Sequence, residues 1–283
     1  MKKETFLYSL LFAFSVMAMN AQVLAPYKYV PNTTPEDDGL IPKHDLHQNN
    51  NRVVPYSFLR QDDMMWSTRH WEEIHIHEKI NQGLYYPIED LPDRVALFNV
   101  LLNGINEGSI TEVFDNDIFT QPLTPQEILN KLYTIKEKKN EFGEVVIRDS
   151  LFVVPANVIS WKIKSDWYFD KQRGEMKSRI IGICPVVQKD WEADAEDLFW
   201  IWFPDTRKAL SQNLVYNPEN NNRRMTFDQL FQMRYFNAVV IKEDNMYDRS
   251  ITDYYKVEGR ETLLESRRIR EELRDYESSL WQY

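Results

Sequence analysis

The chain has 283 residues, 43% of them hydrophobic, and it carries 8 tryptophans, 15 tyrosines and 15 phenylalanines. This apolar material is enough for a sizeable core, so the composition excludes a chain that is disordered throughout. The formal net charge of −10 argues against nucleic acid as the main partner, because phosphate binding needs a basic surface, and it gives no electrostatic reason to lie on an anionic membrane.

The N-terminus has the pattern of a secretory signal peptide. Two lysines precede a short apolar run, Phe6 to Met19, which is too short to span a bilayer. We expect cleavage after Ala21, so that residues 1–21 are removed and Gln22 becomes the first residue. Because Gln22 is not a cysteine, we expect no lipid anchor on this chain. The alternative interpretation is a buried N-terminal helix.

Residues 22–55 are predicted to form an extended arm or linker. Proline, asparagine and aspartate are spread through the segment, and no hydrophobic period persists. Two interpretations stay open: a disordered spacer, or an arm that docks on a partner through residues such as Tyr27 and Tyr29. Residues 56–283 are predicted to form a single domain.

Residues 91–108 predict the first helix of that domain. Apolar residues recur on one broad face, and Gly108 is placed to end the helix. The apolar positions are Val95, Leu97, Phe98, Leu101, Leu102 and Ile105.

A second helix is predicted to begin at Thr124. Thr124 is the expected N-cap, Pro125 takes the first helical position, and Glu127 completes a capping box. The predicted apolar stripe then consists of Ile128, Leu129, Leu132 and Ile135.

Residues 158–187 predict a β-hairpin. Apolar and polar side chains alternate along its first half, Gly174 marks the turn, and the return strand is expected to start near Met176. Residues 198–204, LFWIWFP, form a continuous apolar run, which is typical of a central strand covered on both faces and ended here by Pro204.

Three further elements complete the domain. Thr226 and Gln229 repeat the capping-box pattern at a helix start, and residues 238–244 predict a strand. Residues 259–283 predict an amphipathic helix, which either packs on its own domain or docks on a partner. Together the elements predict an α+β fold, with central, mostly antiparallel strands and flanking helices, preceded by the extended N-terminal arm.

The five histidines lie in one short region and are the strongest candidates for chemistry. His75 and His77 would point from the same face of a strand and so form a pair of metal ligands. A third ligand would come from His44, His47, a carboxylate or His70, which we expect at a helix end. The alternative is a solvated or partly packed strand face.

Other catalytic patterns are missing from the sequence. A catalytic triad needs a base, and every histidine lies in that one region, while glycine is too scarce to indicate a phosphate-binding loop. Cys184, the only cysteine, is predicted to be a small core residue rather than a nucleophile. We therefore expect neither catalytic residues nor a cofactor.

Residues 59–87, LRQDDMMWSTRHWEEIHIHEKINQGLYYP, resemble the start of the domain in the GldN family, also called PorN, of the type IX secretion system. The resemblance continues in order through PLTPQEI, LFWIWFPDTRKAL, NPENNNRRMTFDQLFQMRYF, YDRSITDYY and LLESRRIREELRDYESSLWQY, and it covers roughly residues 50–283. His75 and His77 stand where the family commonly has Asp and Arg. The resemblance therefore weakens the metal interpretation.

The resemblance implies a non-enzymatic, periplasmic component of the machine that exports proteins across the outer membrane and, in gliding bacteria, supports motility. Proteins of this family associate with a partner lipoprotein, GldK or PorK, form large rings beneath the outer membrane, and contact the periplasmic part of the motor protein GldM or PorM. We therefore expect this chain to self-associate in a ring at the inner face of the outer membrane and to contact the membrane only through partners.

A ring needs two different contact patches on each subunit. Aromatic density and amphipathicity point to the arm, the aromatic block that follows it, and the C-terminal helix. The predicted interface residues are Tyr27, Tyr29, Trp66, Trp71, Tyr85, Tyr86, Ile269, Leu273, Tyr276 and Leu280. The alternative for the aromatic residues is a place in the domain core. The alternative function is an exported metal-binding protein or metal-dependent enzyme that uses His70, His75 and His77.

Overall fold

The computed structural model describes residues 53–91, 94–139, 145–189, 194–216, 225–255 and 259–280, all of which fall in one compact unit, Asn49–Tyr283. The strands in these ranges are β1 (Met64–His75), β2 (Val113–Phe114), β3 (Tyr133–Lys139), β4 (Val145–Phe152), β5 (Val158–Asp170), β6 (Glu175–Gln188), β7 (Ala195–Asp197), β8 (Trp200–Trp202), β9 (Leu214–Val215), β10 (Met225–Thr226) and β11 (Val239–Glu243). The α-helices are α1 (Gln82–Tyr85), α2 (Leu97–Asn106), α3 (Pro125–Leu132), α4 (Phe203–Gln212), α5 (Phe227–Gln232), α6 (Ile251–Tyr255) and α7 (Arg260–Leu280). The predicted signal peptide, nearly all of the arm, Tyr27 and Tyr29 lie outside the described residues.

A seven-stranded sheet organises the fold. Its order is β11-β1-β5-β6-β8-β2, with β7 paired to β6 outside this path, and its strands pair antiparallel. β5 and β6 form the predicted hairpin, and Gly174 in its turn has a φ of 66°, a left-handed value that glycine adopts without steric cost. The predicted α+β class with antiparallel strands is confirmed.

The main core lies where α2, α4 and α5 pack against the sheet. Trp161 and Ile163 of β5 meet Phe98 of α2, and Phe203 of α4 packs against Phe231 of α5 with ring centroids 5.5 Å apart. All five side chains are almost completely buried. The helices and the sheet therefore share this core, as an α+β fold requires.

The predicted helix starts and ends follow their local signals. α2 ends at Asn106, and Gly108 then has a φ of 72° while its N–H donates to the carbonyl oxygen of Ile105 at 3.2 Å. Capping boxes start both α3, through Thr124 and Glu127, and α5, through Thr226 and Gln229. These predictions are confirmed.

The second predicted helix is shorter than its apolar stripe. α3 ends at Leu132, and Tyr133–Lys139 is instead strand β3, which pairs with β4. Placing Ile135 on the helical stripe was therefore wrong, and Leu129 is exposed. The start of β3 is aromatic and β-branched, and pairing with β4 gives its backbone groups a ladder of partners.

Two other local predictions were also wrong. His70 lies in the middle of β1 rather than at a helix end, because residues 64–75 pair with β5 on one side and with β11 on the other. The apolar run LFWIWFP contributes only the three-residue strand β8, which lies next to the edge strand β2. Pro204 lies in the first turn of α4, directly after Phe203, where its missing N–H costs no intrahelical hydrogen bond.

The C-terminal helix α7 packs on its own domain along part of its apolar stripe. Ile269 is buried together with Val240 of β11 and Ile251 of α6. The backbone N–H of Val240 donates to the hydroxyl of Ser266 at 2.8 Å, so α7 also provides a hydrogen-bond partner for β11. Leu273 is buried one turn further along.

Two arginines hold the chain where the described residues begin. Arg207 of α4 donates to the carbonyl oxygen of Val54 at 2.5 Å, and Arg179 of β6 donates to that of Ser57 at 2.6 Å. The Tyr56 ring lies between them, with its centroid 4.3 Å from Cζ of Arg207 and 5.1 Å from Cζ of Arg179. Residues 54–57 are thus fixed on the domain by both backbone and ring contacts.

Cys184 is a core residue, as predicted, and we expect it to be unreactive in the folded protein. Burial raises the pKa of its thiol well above the ordinary value, and the thiolate is the reactive form. At about pH 8, iodoacetamide should leave the native protein unmodified and should alkylate one thiol per chain after unfolding in guanidinium chloride. Rapid alkylation of the native protein, followed by mass spectrometry, would contradict this placement.

Candidate partner-binding surface

An open apolar groove lies beside the residues that follow β1 and is a candidate surface for a partner. The segment from Lys79 to Leu91 forms one wall, and Tyr216, Leu230 and Tyr235 belong to the other. The groove has a volume of about 470 Å³. Its exposed apolar side chains are those of Ile80, Tyr86, Leu91, Tyr216 and Tyr235. A contiguous exposed apolar surface of this kind is typical of an interaction site.

Asn81 lies between the groove residues Ile80 and Gln82 and is anchored by three hydrogen bonds. Its side-chain amide donates to the carbonyl oxygens of His75 at 2.9 Å and Asn237 at 2.8 Å, and its oxygen accepts the backbone N–H of Asn237 at 2.9 Å. The residue is completely buried. Gly83, in the same segment, allows the backbone to approach Val215 closely, because a Cβ on Gly83 would lie 3.1 Å from Cγ1 of Val215. The hydrogen bonds of Asn81 therefore fix the chain segment that carries the groove residues Lys79, Ile80 and Gln82.

Tyr85 and Tyr86, two of the predicted interface residues, have different roles. Tyr85 is half-buried and packs against the main core, and its ring meets that of Tyr86 edge-on with centroids 4.8 Å apart. Tyr86 is 51% exposed and lines the groove. The two charged residues that line the groove are cations, Lys79 and Arg94, and the guanidinium of Arg94 lies 5.3 Å from the centroid of the Tyr216 ring. Tyr86 is thus the predicted residue that this surface offers to a partner.

Trp66 and the predicted residues of the C-terminal helix contact one another or their own domain. The ring of Trp66 lies 4.8 Å from that of Tyr276, which joins β1 to α7. Ile269 and Leu273 are buried by this chain, and Leu280 is half-buried. A partner would reach Ile269 only if α7 moved away from the sheet.

Trp71 belongs to a separate cluster of aromatic and charged side chains. Its Nε1–H donates to Oδ2 of Asp117 at 2.8 Å, and the ammonium groups of Lys164 and Lys242 lie 5.1 Å and 4.5 Å from its ring centroid. Burial tends to raise the pKa of Asp117, but the hydrogen bond from Trp71 and the charge of Lys164 outweigh it and leave that pKa below its ordinary value. Trp71 is therefore engaged within the chain.

The three histidines of the metal hypothesis lie in different environments. His70 is completely buried, and its Nε2 lies 3.7 Å from Oε1 of Glu243. His75 and His77 are exposed. Within the described part of the chain, no three His, Cys, Asp or Glu side chains are grouped as a metal site would require. His44 and His47 lie outside the described residues.

Tyr86, predicted as an interface residue, lines the groove, whereas the sequence patterns did not single out Asn81 or Gly83. Asn81 and Gly83 carry no periodic or motif signal, since their role arises from contacts with Asn237 and Val215, far along the chain. None of the helices in the described ranges is both long and apolar enough to cross a membrane.

Comparison with known proteins supports the resemblance drawn from the sequence. A search of curated proteins found no match. The family model for the gliding motility associated protein GldN matches residues 59–282, which include every element described above. The match begins just before β1 and extends to the end of α7, so it covers the whole folded unit. The chain therefore belongs to the GldN family of gliding motility and type IX secretion components.

Proposed function

We propose that this protein is a periplasmic structural component of the type IX secretion and gliding motility machinery. In this role it forms a ring-like complex with a lipoprotein of the GldK or PorK type and contacts the periplasmic part of a GldM or PorM motor protein. The observation that carries the proposal is the family match over residues 59–282. The signal-peptide pattern of residues 1–21 supports export, and we assign attachment to the outer membrane to the lipoprotein.

We assign the groove to contacts between neighbouring copies of this chain. A closed ring requires a heterologous interface, in which two different patches of one subunit meet their counterparts on the subunits either side. The groove supplies a concave apolar patch. The complementary patch is Phe58, which is 84% exposed, does not line the groove, and follows directly on Ser57, whose carbonyl oxygen Arg179 holds. The Phe58 side chain of one copy is thus presented as a fixed apolar projection for the groove of the next.

The role is structural in this proposal. Scaffold interfaces are built around exposed aromatic residues that fill pockets on their partners, and truncation of such a residue costs roughly 2 kcal/mol of binding or more. Tyr86 and Phe58 match this description because both are exposed and both lie beside residues that the fold holds in place.

The test is co-expression of residues 22–283 with the lipoprotein from the same genome, purification through a tag on the lipoprotein, and electron microscopy. We expect the wild-type chain to co-purify and to form arcs or rings. Tyr86→Ser and Phe58→Ser should still bind the lipoprotein but weaken contacts between copies about 30-fold each, so that most rings are lost. Their melting temperatures should not change, because both side chains are exposed.

Met246→Ser is the matched control, because Met246 is 87% exposed and lies outside the groove. It should leave the rings intact. If the wild-type chain fails to co-purify with the lipoprotein, the proposed function is contradicted. If it co-purifies and both variants still form normal rings, the function stands and the assignment of the groove and Phe58 is wrong.

A further inference from the structure

A second cavity, of about 350 Å³, lies between α7 and the residues that follow α5. Three arginines and two glutamates line it, so the lining carries one positive charge in excess, in a chain whose formal net charge is −10. Its volume is at the lower end of the range for small-molecule sites. The cavity is separate from the groove, and nothing in the proposed ring assembly uses it.

Arg234 forms a wall of this cavity and is fully engaged. It pairs with the buried carboxylate of Glu72, and its guanidinium lies 4.6 Å from the ring centroid of Trp167 and 5.2 Å from that of Phe236. Glu277, the second glutamate, accepts the backbone N–H of Met176 at 3.1 Å. Both carboxylates of the lining are therefore already committed to partners within the chain.

Arg270 is not engaged in this way. In the described ranges, no carboxylate lies within ion-pair distance of its guanidinium, and Arg274, one turn further along α7, lies 3.9 Å from the exposed carboxylate of Asp275. Burial lowers the pKa of Arg270, the charge of Glu72 opposes this, and the charge of Arg234 adds to the lowering. Because Glu72 is already paired with Arg234, the guanidinium of Arg270 keeps hydrogen-bond donors that no described residue takes, and an anion in the cavity can accept them.

One residue of the lining, Trp167, has a hydrogen-bond donor that is buried beneath the cavity surface. Trp167 lines the cavity, and its Nε1–H is buried without an acceptor among the described residues. A buried donor of this kind costs free energy unless an acceptor reaches it. Apolar surface surrounds these polar groups, since Met176, Phe236 and Leu273 also line the cavity.

We propose that this cavity binds a carboxylate carried on an apolar group. The guanidinium of Arg270 presents the planar fork of donors that a carboxylate accepts in two parallel hydrogen bonds. A single negative charge matches the single excess positive charge of the lining better than a doubly charged phosphate does. The apolar body of the ligand would pack on Met176, Phe236 and Leu273. Such a ligand is either a small apolar acid or the C-terminal residue of a peptide.

The test uses residues 22–283 labelled with ¹⁵N and titrated with phenylacetate. The readout is the indole N–H signal of Trp167, which is assigned by its loss in Trp167→Phe. We expect a saturable shift with a Kd on the order of 1 mM. Phenylacetamide has the same shape without the charge and should bind at least about tenfold more weakly.

Arg270→Gln should weaken phenylacetate binding about tenfold or more, because it removes the charged donor. Arg267→Gln is the matched control: Arg267 lies on the same helix, is exposed and pairs with Glu271 rather than lining the cavity. It should bind phenylacetate as the wild type does. Because Arg270 is exposed in part and Arg267 is fully on the surface, both variants should keep the wild-type melting temperature.

Equal binding of the acid and the amide would overturn the proposal, as would unchanged binding by Arg270→Gln. Tighter binding of phenyl phosphate than of phenylacetate would overturn the assignment to a carboxylate. N-acetyl-glycyl-phenylalanine and its C-terminal amide distinguish the two sources. If the free peptide acid binds at least as tightly as phenylacetate and the peptide amide does not, the ligand is a chain terminus. Binding of phenylacetate alone identifies a small acid.

Discussion

Asp228→Ala is expected to lower the free energy of unfolding by about 3–5 kcal/mol. Asp228 of α5 accepts two hydrogen bonds from Arg207 of α4, at 2.8 Å and 3.2 Å, and both side chains are almost completely buried. Removing the carboxylate leaves the guanidinium in the interior without its counter-charge. The loss should be measured by urea denaturation followed by far-UV circular dichroism.

The consequences of Asp228→Ala should extend beyond α5. Arg207 also holds the carbonyl oxygen of Val54 and the Tyr56 ring, and α5 carries Leu230, which lines the groove. We therefore expect this variant to lose ring assembly as well as stability. Arg267→Ala breaks an exposed ion pair with Glu271 and serves as the control, with an expected cost below about 0.5 kcal/mol. A cost for Asp228→Ala as small as that of the control would show that the buried pair does not stabilise the domain.

Trp161→Ala should cost a similar amount, about 3–5 kcal/mol. Trp161 lies in β5 between Ile74 of β1 and Pro185 of β6, and only 1% of its surface is exposed. Truncation removes its buried apolar surface and leaves a cavity that three paired strands cannot easily close. The free energy of unfolding should again be measured by urea denaturation.

Trp202→Ala is the matched control for this prediction. Trp202 lies at the end of β8, is 38% exposed, and makes an edge-on contact with Phe119 at 5.3 Å between ring centroids. Its truncation should cost roughly 1 kcal/mol, since part of its surface is already in water. If the two variants were equally destabilised, Trp161 would not contribute to the main core as its burial indicates.

The parts of the fold that the sequence predicted correctly depend on local signals. The capping boxes at Thr124 and Thr226, the helix end near Gly108 and the hairpin turn at Gly174 each follow from a few neighbouring residues. The N-cap side chains satisfy backbone groups three residues away, and the two glycines adopt left-handed backbone angles. No distant part of the chain is needed to establish these features.

The features that the sequence did not predict depend on pairing at long range. β3 continues directly from α3 because β4 supplies its partner, and His70 is in a strand because β5 and β11 flank β1. The groove likewise brings together residues 79–94 and 215–235, which are far apart along the chain. In the C-terminal helix, the spacing of apolar residues indicated that one face of the helix is covered. That spacing alone does not tell whether the chain's own sheet or a partner covers it. Ile269 and Leu273 are covered by the chain itself.

The strands at the two ends of the sheet order, β11 and β2, each have a backbone group bound by another part of the chain. At one edge, the backbone N–H of Val240 in β11 is bound by Ser266 of α7. At the other, Leu123 donates to the carbonyl oxygen of Val113 in β2 at 2.7 Å. An exposed sheet edge is a template on which another chain can add a strand, and blocked edges prevent such addition. Another chain cannot add a strand where these two backbone groups are taken, so we expect copies of this protein that associate to meet there through side-chain surfaces rather than by extending the sheet.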